Sequence, residues 1–282
     1  EWQLSTGERM IGIGVGVSKL RRRGGGGAAF DPDYQAVLDY ATSEGYTLPS
    51  GGQQVVQNNT VVELKDAGLW NLGYALFIPA TDGDSDFASL DFHNPSTRKL
   101  TLVNSPTFVP NVGFMGDGVS AYINSNFNPV TDADGNFKNN NTFGGFQTKA
   151  DAGAGGLAAF VGNFSGSSRT EITNDESDTR IAWFNHRNGG SNAPSMPPNQ
   201  QDGLFLTRSN SDTFADIRRN GVLIDTDNNS NAESRNANFD IFSRGTSFCS
   251  DGGGSAFVFY QYMNDTQIAD FENIILNYLN AI

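Results

Sequence analysis

The chain has 282 residues, room for one large β domain with additions or for two ordinary domains. Hydrophobic residues make up 37%, with 21 phenylalanines, which excludes global disorder, while the abundant Gly, Asn, Ser, Asp and Thr favour turns over helix interiors. A net charge of −13 disfavours general nucleic-acid binding, the single Cys249 excludes an intrachain disulfide and a thiolate zinc site, and no apolar run approaches the ~18 residues of a membrane span.

Residues 1–29 read as an arm. Ile11, Ile13, Val15 and Val17 alternate with Gly12, Gly14 and Gly16. That is the pattern of a strand with one apolar edge and one bare face, suited to adding to another protein's sheet. Arg21, Arg22 and Arg23 then precede the linker Gly24–Gly27. The glycine spacing is not that of a dinucleotide fingerprint, and no helix follows it. These seven residues are the expected anchor, the strand adding to a partner's sheet and the arginines meeting an acidic neighbour, with a solvated linker as the other reading of the arginines. The basic cluster follows the apolar stretch Met10–Val17 instead of preceding it, so a signal peptide is not expected. One cysteine suits assembly in a reducing compartment.

Residues 30–71 read as a helical segment. Asp31 is a fitting N-cap, Pro32 a fitting first helical residue, and Gly45 a fitting C-cap. Tyr34, Val37, Leu38 and Ala41 share one face. A second helix is expected from about Gln53 to Asp66, closing at Gly68, with Val55, Val56, Val62 and Leu64 supplying its apolar surface.

Residues 72–282 read as a β domain closed by a helix. Short apolar stretches recur at Tyr74–Ile78, Leu100–Val103, Gly113–Phe114, Ala121–Ile123, Gly156–Val161 and Glu171–Thr173, then at Ile181–Phe184, Leu204–Thr207, Phe214–Arg218, Val222–Ile224, Phe239–Phe242 and Ala256–Tyr260. Turn pairs such as Asp82-Gly83, Asp117-Gly118 and Asp134-Gly135 separate them. Asn220-Gly221 predicts a type I′ hairpin. Many short strands between such turns predict a mainly β fold, a two-sheet antiparallel sandwich with an N-terminal helical pair. Ile268, Phe271, Ile275, Tyr278 and Leu279 predict a C-terminal amphipathic helix capped by Asp265 or Thr266.

Three features in this order carry a resemblance. They are Ala80-Thr81-Asp82-Gly83-Asp84-Ser85-Asp86-Phe87, the region from Ser105-Pro106-Thr107-Phe108 through Gly113-Phe114-Met115-Gly116-Asp117-Gly118 to Ser120–Ile123, and the ending Val258-Phe259-Tyr260 with the helix Thr266 to Leu279. Together they resemble the concanavalin-like, laminin-G-type jelly-roll domains of bacteriophage tail and head appendages. The resemblance covers about Asp31 to Ile282 and includes the hairpin Arg219-Asn220-Gly221-Val222-Leu223-Ile224. It implies a non-enzymatic virion protein whose arm docks onto other virion proteins and whose jelly roll is displayed outward, as decoration or against host-surface glycans. Self-association as a homo-oligomer also suits such a part, and its location would be the virion assembled in the host cytoplasm. The rival readings are a polysaccharide-degrading enzyme and a secreted bacterial lectin.

Related jelly-roll hydrolases carry three acids, glutamate among them, at alternate strand positions, and no such motif occurs here. No nucleophile elbow occurs either, and the only histidines are His93 and His186. No catalytic residues are therefore expected. Asp82, Asp84 and Asp86 alternate and could converge on Ca2+, as could Asp132 and Asp134, yet each run also reads as an ordinary Asx or Asp-Gly turn. Trp183, His186 and Arg187 form an aromatic and polar cluster that could stack on a sugar ring and bond its hydroxyls, although a tryptophan on a strand commonly belongs to the core.

Overall fold

The structure, a computed structural model, describes residues 29–133, 135–149, 159–165, 168–175, 180–188, 202–211, 213–228, 236–243 and 249–282. The arm falls outside these residues.

Helix α1 (Pro32–Glu44) is built as its sequence implies. The Asp31 carboxylate accepts from the Asp33 amide, and Gly45 ends the helix in the left-handed region at φ 78°. Tyr34, Val37, Leu38 and Ala41 are buried. Helix α2 (Gly51–Asp66) starts earlier than expected because Ser50, not a later residue, caps it. Its buried face also differs. Gln53, Gln57, Thr60, Val61 and Leu64 point inward, while Val55 is half exposed. These five positions share one helix face, and the polar ones are tolerated there because the interior supplies partners. The Tyr34 hydroxyl donates to Gln57 at 2.7 Å, and Gln57 reaches the Tyr278 hydroxyl at 3.2 Å. Thr81 donates to Gln53 at 2.9 Å, and Gln53 donates to Asn111 at 3.0 Å.

After β1 (Gly73–Phe77) and the short helix α3 (Ser85–Ala88) the chain is almost wholly extended. The strands are β2 (Thr101–Val103), β3 (Thr107–Val109), β4 (Gly113–Met115), β5 (Tyr122–Asn124), β6 (Asn141–Lys149), β7 (Ala159–Ser165), β8 (Ser168–Asp175) and β9 (Arg180–Asn188). They continue with β10 (Gly203–Ser211), β11 (Phe214–Arg219), β12 (Val222–Asp227), β13 (Asp240–Ile241) and β14 (Gly253–Tyr260), and α4 (Asp265–Ala281) closes the chain. All pairings are antiparallel. One sheet runs β12-β11-β10-β6-β14-β4-β3, with β1 also paired to β14; the other runs β2-β5-β13-β7-β8-β9. This is the expected two-sheet sandwich with flanking helices.

Strand β6 has no counterpart among the expected strands, although it is central. Its polar residues and Gly144-Gly145 pair lower its strand signal. The packing requires those glycines. A Cβ on Gly144, whose φ is +149°, would lie 2.0 Å from the Phe205 carbonyl oxygen, and one on Gly145 would lie 2.2 Å from that of Ala256. The Asn220-Gly221 hairpin forms as predicted, with both residues at positive φ (47° and 82°). The cap of α4 is Asn264, one residue before the expected site. Its side chain accepts from the Thr266 and Gln267 amides, and Gln267 returns the bond in a capping box.

Two hydrophobic cores flank the eight-stranded sheet. Leu204, Leu206, Ala256, Val258 and Tyr260 face the helices and pack with Tyr34, Leu64, Phe271 and Ile275. Phe205, Phe257 and Phe259 face the second sheet and pack with Phe127, Phe143, Phe239 and Ile172. Phe127 is the hub of this second core, with ring centroids of Phe259 at 4.7 Å, Phe137 at 5.4 Å and Phe239 at 6.1 Å. Replacing Phe127 by Ala is expected to cost about 3–5 kcal/mol, read as a lowered denaturation midpoint with an unchanged slope. A loss below about 1 kcal/mol would refute its central role.

Candidate functional site

The acidic runs singled out in the sequence serve the fold. Asp82 accepts from the Ser50 amide at 2.9 Å, next to the α2 cap. Asp84 accepts from the Thr47 amide at 2.6 Å and caps α3 through the Phe87 amide at 2.9 Å. Asp86 sits in the first turn of α3. Asp132 accepts from the Asn128 amide at 3.0 Å and pairs with Arg98 at 3.3 Å. Asp134 lies outside the described residues. Among those residues no group of three or more His, Cys, Asp or Glu side chains is arranged to hold a metal ion. Backbone amides and, for Asp132, an arginine therefore occupy the carboxylates of Asp82, Asp84 and Asp132. Asp117 behaves alike: the amides of Val119, Ser120 and Ala121 converge on its carboxylate and hold it down to about 2.

Trp183, His186 and Arg187 lie on β9, an edge of the second sheet, where Trp183 is in register with Ile172 and Arg187 with Arg169. Their side chains lie outside the described residues, as do the anchor residues Ile11, Ile13, Val15, Val17 and Arg21–Arg23.

Two buried clusters hold charge. Asp91 accepts from the Leu76 and His93 amides, both at 3.0 Å, and pairs with Arg98 at 3.1 Å. His93 stacks on Trp70, with ring centroids 4.0 Å apart, and burial pushes it down to about 4, so it is neutral at pH 7. On the helix side, Arg208 grips Asp216 through Nε and Nη2 at 2.9 and 2.8 Å, and it reaches the Met263 carbonyl at 2.6 Å. Asp265 joins Arg208 to Arg218 at 2.5 and 2.7 Å. This network clamps the start of α4 to β10 and β11.

Glu272 lies one step further along α4, under the Gly221 turn, and is only 2% exposed. Burial pushes its carboxyl up to about 7, against the nearby charges of Arg218 and Arg208.

An open cleft of about 450 Å³ lies where α4 crosses the outer face of the eight-stranded sheet. Its floor is apolar, from Phe146 of β6 and Leu276 and Leu279 of α4. Its rim is amide-rich: Asn111 from the β3–β4 turn, Asn220 from the hairpin and Asn280 from the last turn of α4. Both turn asparagines occupy the left-handed region, at φ 61° and 47°. Asn220 Oδ1 accepts from the Leu204 amide at 2.8 Å, and Asn111 Oδ1 accepts from Gln53. Each amide is thereby oriented with its Nδ2 uncommitted among the described residues. Thr148 also lines the cleft, with its hydroxyl buried away from it. The described walls carry one cation and one anion. Arg219 donates to the Asp202 carbonyl at 2.8 Å and lies 3.6 Å from its carboxylate. The sequence signalled only the Asn220 turn. The other rim residues are far apart in the chain, and no local pattern joins them.

A second juxtaposition lies on the other sheet. Asp240 and Glu171 are both in register with Gly162, one on each side. Their neighbours Ile241, Val161 and Ile172 belong to the inter-sheet core, so the two acids share the face turned away from it. Burial pushes Asp240 up to about 7. The sequence left Glu171 without a neighbour because the register across three strands is not visible in it.

No family model matches this chain, and no curated protein matches it. Solved structures do. Over 77% of this chain and 38% of theirs it is similar to Trypanosoma rangeli sialidase in complex with the inhibitor DANA, at 12% identity and TM-score 0.54. The same sialidase in complex with sialic acid matches over 79% and 39%, again at 12% and 0.54. The botulinum neurotoxin serotype D binding domain matches over 72% and 52%, at 9% and 0.50. What they share with this chain is the two-sheet antiparallel sandwich. The chain spans about two fifths of the sialidase chains and about half of the neurotoxin domain. At such low identity the likeness establishes the sandwich architecture alone.

Glu272 yields a pH test. Its folded value of about 7 exceeds the ordinary 4.5, so its contribution is complete below pH 4.5 and is lost as pH rises through 7. The loss is on the order of 3 kcal/mol. Glu272→Gln should therefore equal the parent near pH 4 and exceed it in melting temperature at pH 8. A variant less stable than its parent at pH 8 would show instead that the carboxylate is paired in the fold.

Proposed function

We propose that this protein is a non-enzymatic binding module of a bacteriophage virion. Its concanavalin-like sandwich is displayed for contact with host-surface saccharides, and its N-terminal arm is held by other virion proteins. The observation that carries the binding part is the cleft beside α4: a pocket of ligand size with an apolar floor, oriented amides and a single carboxylate in its described walls, that one beside Arg219. Such a lining matches a site that orients a small polar ligand. Glycoside hydrolysis commonly needs two carboxylates about 5–10 Å apart across the bond. Fold analogy supports a saccharide ligand, since the similar proteins include a sialidase in complex with sialic acid. The virion part rests on the sequence, on Ile11–Val17 alternating with glycine and on Arg21–Arg23.

The Asp240–Gly162–Glu171 row favours a second reading, a polysaccharide hydrolase. A carboxyl raised to about 7 suits a general acid, and a second carboxylate on the same sheet face suits its partner. One assay separates the two. Purified protein incubated with capsule or cell-wall polysaccharide is expected to release no new reducing ends. Release that disappears in Glu171→Gln and Asp240→Asn would replace the binding reading with the enzymatic one. For location, mass spectrometry of purified particles is expected to find the chain as a stoichiometric component.

A further inference from the structure

We infer that the cleft between α4 and the outer face of the eight-stranded sheet binds a neutral saccharide, not an acidic one. The inference rests on the proposed saccharide-binding role and deepens it by naming the site and the ligand class.

Three features select a sugar. The floor of Phe146, Leu276 and Leu279 offers apolar surface to the C–H face of a pyranose ring. Around it stand groups that match hydroxyls, which both donate and accept. Asn111 and Asn220 present Nδ2 donors, because backbone and side-chain donors already hold their oxygens. Asn280, exposed on the last turn of α4, can both donate and accept from the rim.

Charge selects a neutral one. The described walls hold Arg219 and Asp202, which neighbour and offset each other. A carboxylate-bearing sugar would find its one cation already engaged and would meet a protein of net charge −13. A pair of adjacent donor and acceptor suits two neighbouring hydroxyls instead.

Preorganisation makes the site credible. Asn111 and Asn220 are locked in tight turns, and the floor lies on β6 and α4, so little ordering remains to oppose binding.

The test is calorimetry and ligand-observed NMR on the full chain. The probes are neutral oligomers of glucose, galactose and N-acetylglucosamine, with sialyllactose as the acidic counterpart. Two variants address the cleft. Asn220→Gly keeps the positive φ but removes the amide, and Asn280→Trp fills the cleft from an exposed position. Val119→Ser, at a 78% exposed residue outside the cleft, is the control. The expected result is binding of at least one neutral oligomer, weakened about tenfold or more by both cleft variants and unchanged by the control. Unaltered circular dichroism and melting temperature in Asn280→Trp confirm that the loss is local. Neutral binding that survives both variants overturns the site. Sialyllactose binding in preference to the neutral oligomers overturns the ligand class while leaving the saccharide-binding role intact. Absence of any saccharide binding overturns both.

Discussion

The structure depends on one strand having two apolar faces. Every residue of β14, Gly253 to Tyr260, is buried. Its side chains alternate between a core shared with the helices and a core shared with the second sheet. A strand with one wet face needs no helices over it. This strand does, and α1, α2 and α4 cover the side that the second sheet leaves open. Since β14 also bonds β6, β4 and β1, an error in its register would move both cores at once.

Burial on both faces sets the terms for every polar group near the sheet. Groups removed from water need partners inside. The Gln57–Tyr34–Tyr278 bonds and the Arg208–Asp216 clamp answer that need on the helix side, and the Asp91–Arg98 pair answers it near β1. These contacts tie helices to strands far away in sequence. Two of the acids, Asp216 and Asp91, are held in this way by arginines.

The cleft follows from the same covering. Helix α4 is pinned at its start by Arg208 and Asp265 and runs across the sheet toward the β3–β4 turn. Where the helix leaves the sheet, loop amides replace packed side chains, and a recess with an apolar floor and a polar rim remains. Rigid elements supply the floor and tight turns supply the rim, the combination that places ligand-binding groups accurately.

The sequence by itself determined what local chemistry controls. It was enough for the α1 caps at Asp31 and Gly45, the Asn220-Gly221 hairpin, the closing amphipathic helix and the sandwich class, because caps, turns and periodic burial act within a few residues. Tertiary structure decided the rest. It made β6 a central strand, since Gly144 and Gly145 are required only once Phe205 and Ala256 lie against them. It turned Gln53 and Gln57 inward, where Tyr34, Thr81, Asn111 and Tyr278 satisfy them. It gave the carboxylates of Asp82, Asp84 and Asp132 backbone and arginine partners. And it assembled Asn111, Thr148, Asn220 and Asn280 around one recess. Those residues lie up to 169 positions apart, 280 − 111, and proximity across that distance comes from strand register and helix packing, which no local pattern encodes.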